Sequence, residues 1–511
     1  MSVTRTVEPP VQPAGRTGAQ SRRLFVAVAA LLIVAGAAAV RLADLGSQPG
    51  GLYPDEAAEG VTASRILHDP GYHPLFIAED AGREPLYAYV VAAAFAGFGE
   101  STVTLRTVSA AIGILGVLAI GMALRRFGAG VALTAMAWSA GSLWLICVGR
   151  DGMRNILVPL AGAIALAALL RWSDRPGRLS AVLAGAALGA GLWTYQPLKL
   201  LPLLALVWLW LLRRSNRAVY RTLIANARWC IGAFVVVGGP MIFVALTQPG
   251  NYFGRGAETS VLNGGNSQDS VVTHIIRTLG QFTFVGDPNQ RHDVNGIPLL
   301  GWPLFVLAVV GVVVAWHRRD QAAYLLLFLG VPVFLLPPLV ATEGSSPHFL
   351  RNLGLAPFVG AFVGLGAVAT VRWLGRHGSK PLELTGVVVL AVGLVLIGAG
   401  SAHAYFSRPV RDRYVPYSFA VVALAKAADH GPRTAVVVDS YSAFDVEFLD
   451  AKNPPTRFDP NARIPTPGQY RQIVAPSRAD LVRAVGSALA DRAVVSSVDP
   501  NGKPVVLTVT P

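Results

Sequence analysis

Arg22-Arg23-Leu24-Phe25-Val26-Ala27-Val28-Ala29-Ala30-Leu31-Leu32-Ile33-Val34-Ala35-Gly36-Ala37-Ala38-Ala39-Val40 is the stretch that decides what kind of molecule this is. Two cations precede a run of 17 apolar residues. A secretory signal also begins this way, but its apolar segment is shorter, about 7–15 residues, and a small-residue cleavage site follows it. No such site follows Val40, so the run reads as an anchored membrane helix. Residues 1–23, with Pro, Gly, Thr and Arg and no apolar period, read as a disordered cytoplasmic tail.

Ten further apolar runs follow, at about 103–124, 129–148, 156–171, 179–195, 200–212, 229–247, 299–316, 321–340, 353–372 and 384–402. A membrane-crossing helix needs roughly 17–25 residues. Eleven spans place every strongly basic turn on the side of the N-terminus: Arg125-Arg126; Arg171, Arg175 and Arg178; the group Arg213 to Arg228; Arg318-Arg319; and Arg372, Arg376 and Lys380. That is the distribution of cytoplasmic turns. It also explains the formal charge of +14 without nucleic acid as a partner. The composition agrees, because 53% of the 511 residues are apolar and 14% charged. Soluble domains carry about a quarter charged residues. The two cysteines, Cys147 and Cys230, lie inside apolar runs and imply no disulfide framework.

The predicted fold is thus an all-α polytopic membrane protein, N-terminus inside, with a catalytic or transport domain over 24–402. Its first outer loop covers 44–102 and its third 248–298, and residues 403–511 form a small outer α/β or α+β domain. Strand-like runs at Thr434–Val438, Val494–Val498 and Val505–Val509, a hairpin signal at Asn501-Gly502 and a helix capped by Ser477 and Asp480 mark that domain. Pro85–Gly99 is too short to cross and is expected to lie in the outer interface.

The polar motifs gather on the outward side. The first loop carries Tyr53-Pro54-Asp55-Glu56, a helical stretch from Glu59 to His68, and Glu79-Asp80-Ala81-Gly82-Arg83-Glu84-Pro85-Leu86. Asp55 following Pro54 is placed to cap a helix. The competing reading makes it a general base at the mouth of a membrane cavity, where cations would receive a leaving phosphate. Arg83, Arg150, Arg154, Lys199 and Arg351 are outward cations; each alone could be an interfacial anchor or a carboxylate's partner. Asp287, His292 and Asp293 raise a divalent metal, but their spacing is that of a polar turn, and no metal site is assigned. No nucleotide-binding, serine-hydrolase or zinc-protease motif is present.

In their order along the chain, Asp55-Glu56, Arg83-Glu84-Pro85-Leu86, Phe98-Gly99-Glu100-Ser101 with Leu105-Arg106, Arg150-Asp151-Gly152-Met153-Arg154 and Pro347-His348-Phe349-Leu350-Arg351 resemble the GT-C membrane glycosyltransferases. Within that fold they are similar to protein O-mannosyltransferases and the bacterial aminoarabinose transferases for lipid A, glycosyltransferase family 39. The resemblance implies transfer of a sugar from a polyprenyl-phosphate carrier to a protein, glycolipid or polysaccharide acceptor on the outer face of the plasma membrane. It implies Asp55 as base with Glu56 in support, and phosphate or substrate contacts drawn from Arg83, Glu84, Arg150, Asp151, Arg154, Lys199, His348 and Arg351. The carrier-linked sugar is then the only cofactor-like ligand. Relatives often have Lys or His where this chain has Arg83-Glu84, and Arg-Tyr where it has Arg351-Asn352. A transporter or lipid flippase is the alternative from another class; it would place charges inside the spans, where few are found.

Overall fold

The computed structural model describes residues 16–79, 82–261, 269–341, 344, 346–428 and 431–511. Residues 1–15 of the expected tail, Asp80, Ala81 and the Gly264-Gly265 pair lie outside the described residues. The chain opens with α1 (Arg16–Leu42), followed by α2 (Pro54–His68) and α3 (Leu86–Phe98) in the loop expected to be the first outer one. A bundle then forms from α4 (Thr102–Leu124), α5 (Ala129–Gly141), α6 (Leu143–Val148), α7 (Leu157–Asp174), α8 (Arg178–Gly191), α9 (Leu201–Ser215) and α10 (Arg217–Thr247). The 248–298 loop holds α11 (Pro249–Glu258) and α12 (Val271–Gly280). The bundle closes with α13 (Gly301–His317), α14 (Ala322–Val340), α15 (Ala356–His377) and α16 (Lys380–Phe406).

Among the described residues, eight helical stretches are long and apolar enough to cross a membrane. The runs at 129–148, 179–195 and 299–316 form the shorter helices α5 with α6, α8 and α13. The break between α5 and α6 is Ser142, whose φ of −68° and ψ of 120° are extended. The tail expected to be structureless over 1–23 is helical from Arg16, because a helix already nucleated gains a backbone hydrogen bond with each added residue. The outermost helices are α1 and α16: 6% and 0% of their apolar windows are buried by protein, which leaves them to lipid. With 13 residues, α3 is about 20 Å long and falls short of the ~30 Å hydrocarbon core.

The helix expected from Glu59 begins at Pro54. Tyr53, not Asp55, is its N-cap, and Glu56 reaches back so that Oε2 accepts the Tyr53 backbone N–H at 3.1 Å. Pro54 explains the shift: its fixed φ suits the first helical position, which places Asp55 one residue inside the helix.

Beyond the bundle come α17 (Val410–Tyr414), α18 (Phe419–Ala428), β1 (Thr434–Val437), α19 (Ala443–Leu449), β2 (Thr456–Phe458), β3 (Gln472–Ala475), α20 (Arg478–Val485), α21 (Ser487–Ala490), β4 (Val494–Val498) and β5 (Pro504–Val509). The sheet order is β2-β1-β3-β5-β4, with β1 parallel to β2 and β3 and with β5 antiparallel to β3 and β4. The three expected strands and the hairpin are present, and Ser477 Oγ accepts the Asp480 N–H at 3.1 Å. One sheet face buries Ala435, Ile473 and Leu481; the other buries Val436, Val474 and Leu424. α19 packs on α2 and so brings this domain to the first outward segment.

Candidate active site

Asp55, Glu59 and Thr62 recur at i, i+4 and i+7 on one face of α2, and the polar centre is built along that face. At its N-terminal end, Glu56 is fully buried and its carboxylate is saturated. Oε1 accepts Arg106 Nε at 3.1 Å and the Gly152 N–H at 2.6 Å. Oε2 accepts Arg106 Nη2 at 2.9 Å as well as the Tyr53 N–H. Two more Arg106 donors go to the carbonyls of Pro49 and Gly51, at 2.7 and 2.6 Å. This ion pair therefore ties the first outward loop to α4 and to the turn after α6. Glu56 has no lone pair left for a substrate.

Asp55 differs. It is half-buried, and Oδ1 accepts the phenol of Tyr441 at 2.6 Å. Oδ2 accepts no hydrogen bond from any described residue. The Arg291 guanidinium lies over the Tyr53 ring, 3.3 Å from its centroid; burial works against its charge, but Tyr53, and then Asp55 and Asp151, outweigh it and raise its pKa. Asp151 is buried and accepts Tyr417 Oη at 3.2 Å. Burial, and then the neighbouring Glu56, raise its pKa above the usual carboxylate range. Asp445, on α19, is also fully buried and neither carboxylate oxygen has a hydrogen-bond partner among the described residues. Burial, then the charges of Glu56 and Asp55, push it up to about 9.

Further along the same face a second network alternates in sign. Arg154 Nη1 donates to Glu59 Oε1 at 2.9 Å, and Arg83 Nη1 lies 3.7 Å from the same oxygen. Arg154 Nε is 3.7 Å from Glu84 Oε2, and Lys199 Nζ is 3.0 Å from Glu84 Oε1. Among the described residues, Glu59 and Glu84 thus lie between three cations, Arg83, Arg154 and Lys199, in a largely buried setting. Lys199 is the most accessible of the five, with 18% of its side chain exposed, and it sits 3.7 Å from the Tyr252 ring centroid. A two-way backbone bridge between Ile77 and Arg83 presents Arg83, through a turn in which Gly82 has φ +87°. A Cβ at Gly82 would come within 2.4 Å of the Asn251 carbonyl.

The other sequence candidates lie elsewhere. Arg150 is fully buried and gives its two Nη groups to the carbonyls of Val40, Arg41, Ala43 and Gln48, at 2.6, 3.1, 2.6 and 2.9 Å. These are the orphan carbonyls at the end of α1 and the loop that follows. The guanidinium is a helix cap, sandwiched against Tyr405 and Phe406 at 4.8 Å from each ring, and has no Nη donor left for phosphate. Arg351 donates to Thr259 Oγ1 at 3.2 Å. His348 joins Asp287 and His292, whose candidate ligand atoms lie within 4.8 Å of one another. Asp287 Oδ2 already accepts His292 Nδ1 at 3.0 Å and the Phe349 N–H at 2.6 Å, which ties the 248–298 loop to the turn before α15. Asp293, the third residue of the sequence cluster, instead accepts the Val294 N–H at 2.7 Å, and burial pushes it up to about 8.

Sequence reasoning missed Glu59, Arg291, Tyr417, Tyr441 and Asp445. Glu59 stood in the quoted helix and Arg291 in the quoted polar turn; the other three come from the C-terminal domain, in which no motif marks them.

This architecture is that of a GT-C membrane protein. The chain is similar over 96% of its length to the crystal structure of ArnT from Cupriavidus metallidurans bound to undecaprenyl phosphate, with TM-score 0.61, 14% identity and 98% of that chain covered. It is similar to the same protein in the apo state at TM-score 0.58 and 13% identity, again over 96% and 98% of the two chains. No protein-family model and no curated protein sequence matches the chain. The GT-C-like fold expected from the motifs is the fold the chain adopts.

Proposed function

We propose that this chain is an inverting glycosyltransferase of the plasma membrane, which takes a sugar from a polyprenyl-phosphate carrier and passes it to an acceptor hydroxyl on the outer face. The observation that carries the reading is Asp55: a half-buried carboxylate with one oxygen open, on the helix that also meets Arg83 and Arg154, with Arg291 over the neighbouring Tyr53 ring. Undecaprenyl phosphate bound in the similar ArnT structure supports a lipid phosphate as the donor's leaving group.

The acceptor oxygen attacks the anomeric carbon and the bond from that carbon to the carrier phosphate oxygen breaks. The acceptor proton passes to Asp55, and the electron pair leaves on the phosphate. Cations near that phosphate lower the barrier by meeting charge as it develops. Lys199, the accessible end of the second network, and Arg291, over the Tyr53 ring, are the best placed to do so; Arg154 shares with Lys199 the Glu84 carboxylate that positions it. Glu56 and Arg106 fix the first turn of α2, and with it Asp55. The transporter reading has less support, since the ionic networks sit at helix ends and in outward loops.

The test is transfer by purified protein in nanodiscs, supplied with radiolabelled polyprenyl-phosphate sugars and an extract of envelope acceptors. Asp55→Asn should reduce turnover by about 10²–10⁴-fold, the usual worth of a general base, while carrier binding persists. Unchanged turnover in that variant would move the base elsewhere, with Asp151 next. No turnover and no carrier binding by the wild type would favour transport.

A further inference from the structure

The C-terminal domain contributes a phenol to the centre of the site. Tyr441 sits in the turn before α19, where Asp439 Oδ1 accepts the backbone N–H groups of Tyr441 and Ser442 at 3.0 and 2.9 Å. Six residues into α19, the Phe448 ring stacks on Phe95 of α3 at 6.0 Å between centroids. It also lies against Gly60 of α2, where even a single added carbon would stand 2.5 Å from it. Tyr53 meets the Tyr441 ring edge-on at 6.1 Å. The phenol is therefore held from both sides of the domain junction, and its hydroxyl donates to Asp55 Oδ1 at 2.6 Å.

We propose that Tyr441 is a positioning residue for Asp55: it engages one carboxylate oxygen so that the other faces the acceptor hydroxyl. The inference rests on the proposed role of Asp55. A donor on a carboxylate stabilises the ionised form, which is the form a base needs, and it prevents rotation of the group. The charged and titratable groups around Asp55 are Glu56 and Tyr53 at the start of α2, Arg154 after α6, Arg291 before α13, and Asp445 on α19. Arg154 and Arg291 stay cationic throughout the working range.

The experiment compares wild type, Asp55→Asn and Tyr441→Phe in nanodiscs, with kcat, donor KM and the pH profile of kcat/KM as readouts. Tyr441→Phe should lose roughly tenfold or more in kcat, the scale of one charge-assisted hydrogen bond. Donor KM should stay unchanged, and the acid limb of the profile should move to higher pH as Asp55 loses its donor. A fall in kcat with the acid limb unmoved would assign the phenol to packing and overturn the proposal. So would a gain in turnover, which would mean that the phenol blocks the acceptor's place. Wild-type activity that is lost in Asp55→Asn but kept in full by Tyr441→Phe would sink this inference alone. Wild-type activity that survives Asp55→Asn would sink the reading beneath it.

Discussion

Asp445 is a carboxyl group buried without a hydrogen-bond partner among the described residues, and its consequences are thermodynamic. Its folded pKa, raised to about 9 by burial and then by Glu56 and Asp55, lies far above its ordinary value. The folded state then binds a proton that the unfolded state has released, so this residue's contribution to stability falls as pH rises from the usual carboxylate range towards 9. Asp445→Asn mimics the protonated group. Its unfolding temperature should exceed that of wild type at alkaline pH and converge with it in acid, as thermal unfolding across a pH series would register. Arg150 makes the opposite case. Arg150→Ala would leave four carbonyls without their donor and should destabilise the chain by several kcal/mol, seen as loss of monodisperse protein in detergent. Arg150→Lys should rescue little, because an ammonium lacks the planar fork. From sequence, Asp55 was legible as a cap or a base, and folding placed it one residue inside the helix with an open oxygen. Arg150 was not legible, since an outward arginine that caps a helix and one that binds phosphate look alike in a linear string.

At the scale of elements, apolar periodicity carried most of the information. Each of the eleven runs contains a helix, since a backbone in lipid must satisfy its own hydrogen bonds. Their contacts were less readable. α13 and α15 approach so closely that a Cβ at Gly311 would stand 2.0 Å from the Phe362 carbonyl, and one at Gly366 would stand 1.8 Å from that of Leu307. Small residues let helix backbones meet in a membrane. Gly366→Val should push the pair apart and cost about 1–3 kcal/mol, visible as a lower unfolding temperature, while an exposed glycine with open space around it, such as Gly400, should accept alanine without loss. In the C-terminal domain, β2 and β3 have three and four residues and escaped notice. So short a strand carries no alternation of its own and is specified by the neighbours it pairs with.

At the scale of the whole molecule, the bundle and the C-terminal domain meet at the site. Phe448 belongs to the same hydrophobic core as α2, α3 and α4. Phe448→Ala should therefore loosen the domain from the bundle: protease nicking between 407 and 442 should accelerate, and transfer should fall with it. If nicking and activity were both unchanged, the junction would not depend on this ring. That a helical bundle is followed by a small sheet domain was legible in the sequence. Their junction was not, because the residues that form it are hundreds of positions apart. Asp55 and Tyr441 are separated by 386 residues, and that distance is also an interval of time. At about 5–20 residues per second, the ribosome takes roughly 20–80 s to progress from one to the other. Throughout that interval the nascent chain carries Asp55 without its phenol, and prematurely terminated chains never acquire it. The order of synthesis thus delays completion of the centre until the segment that carries Tyr441 has been made.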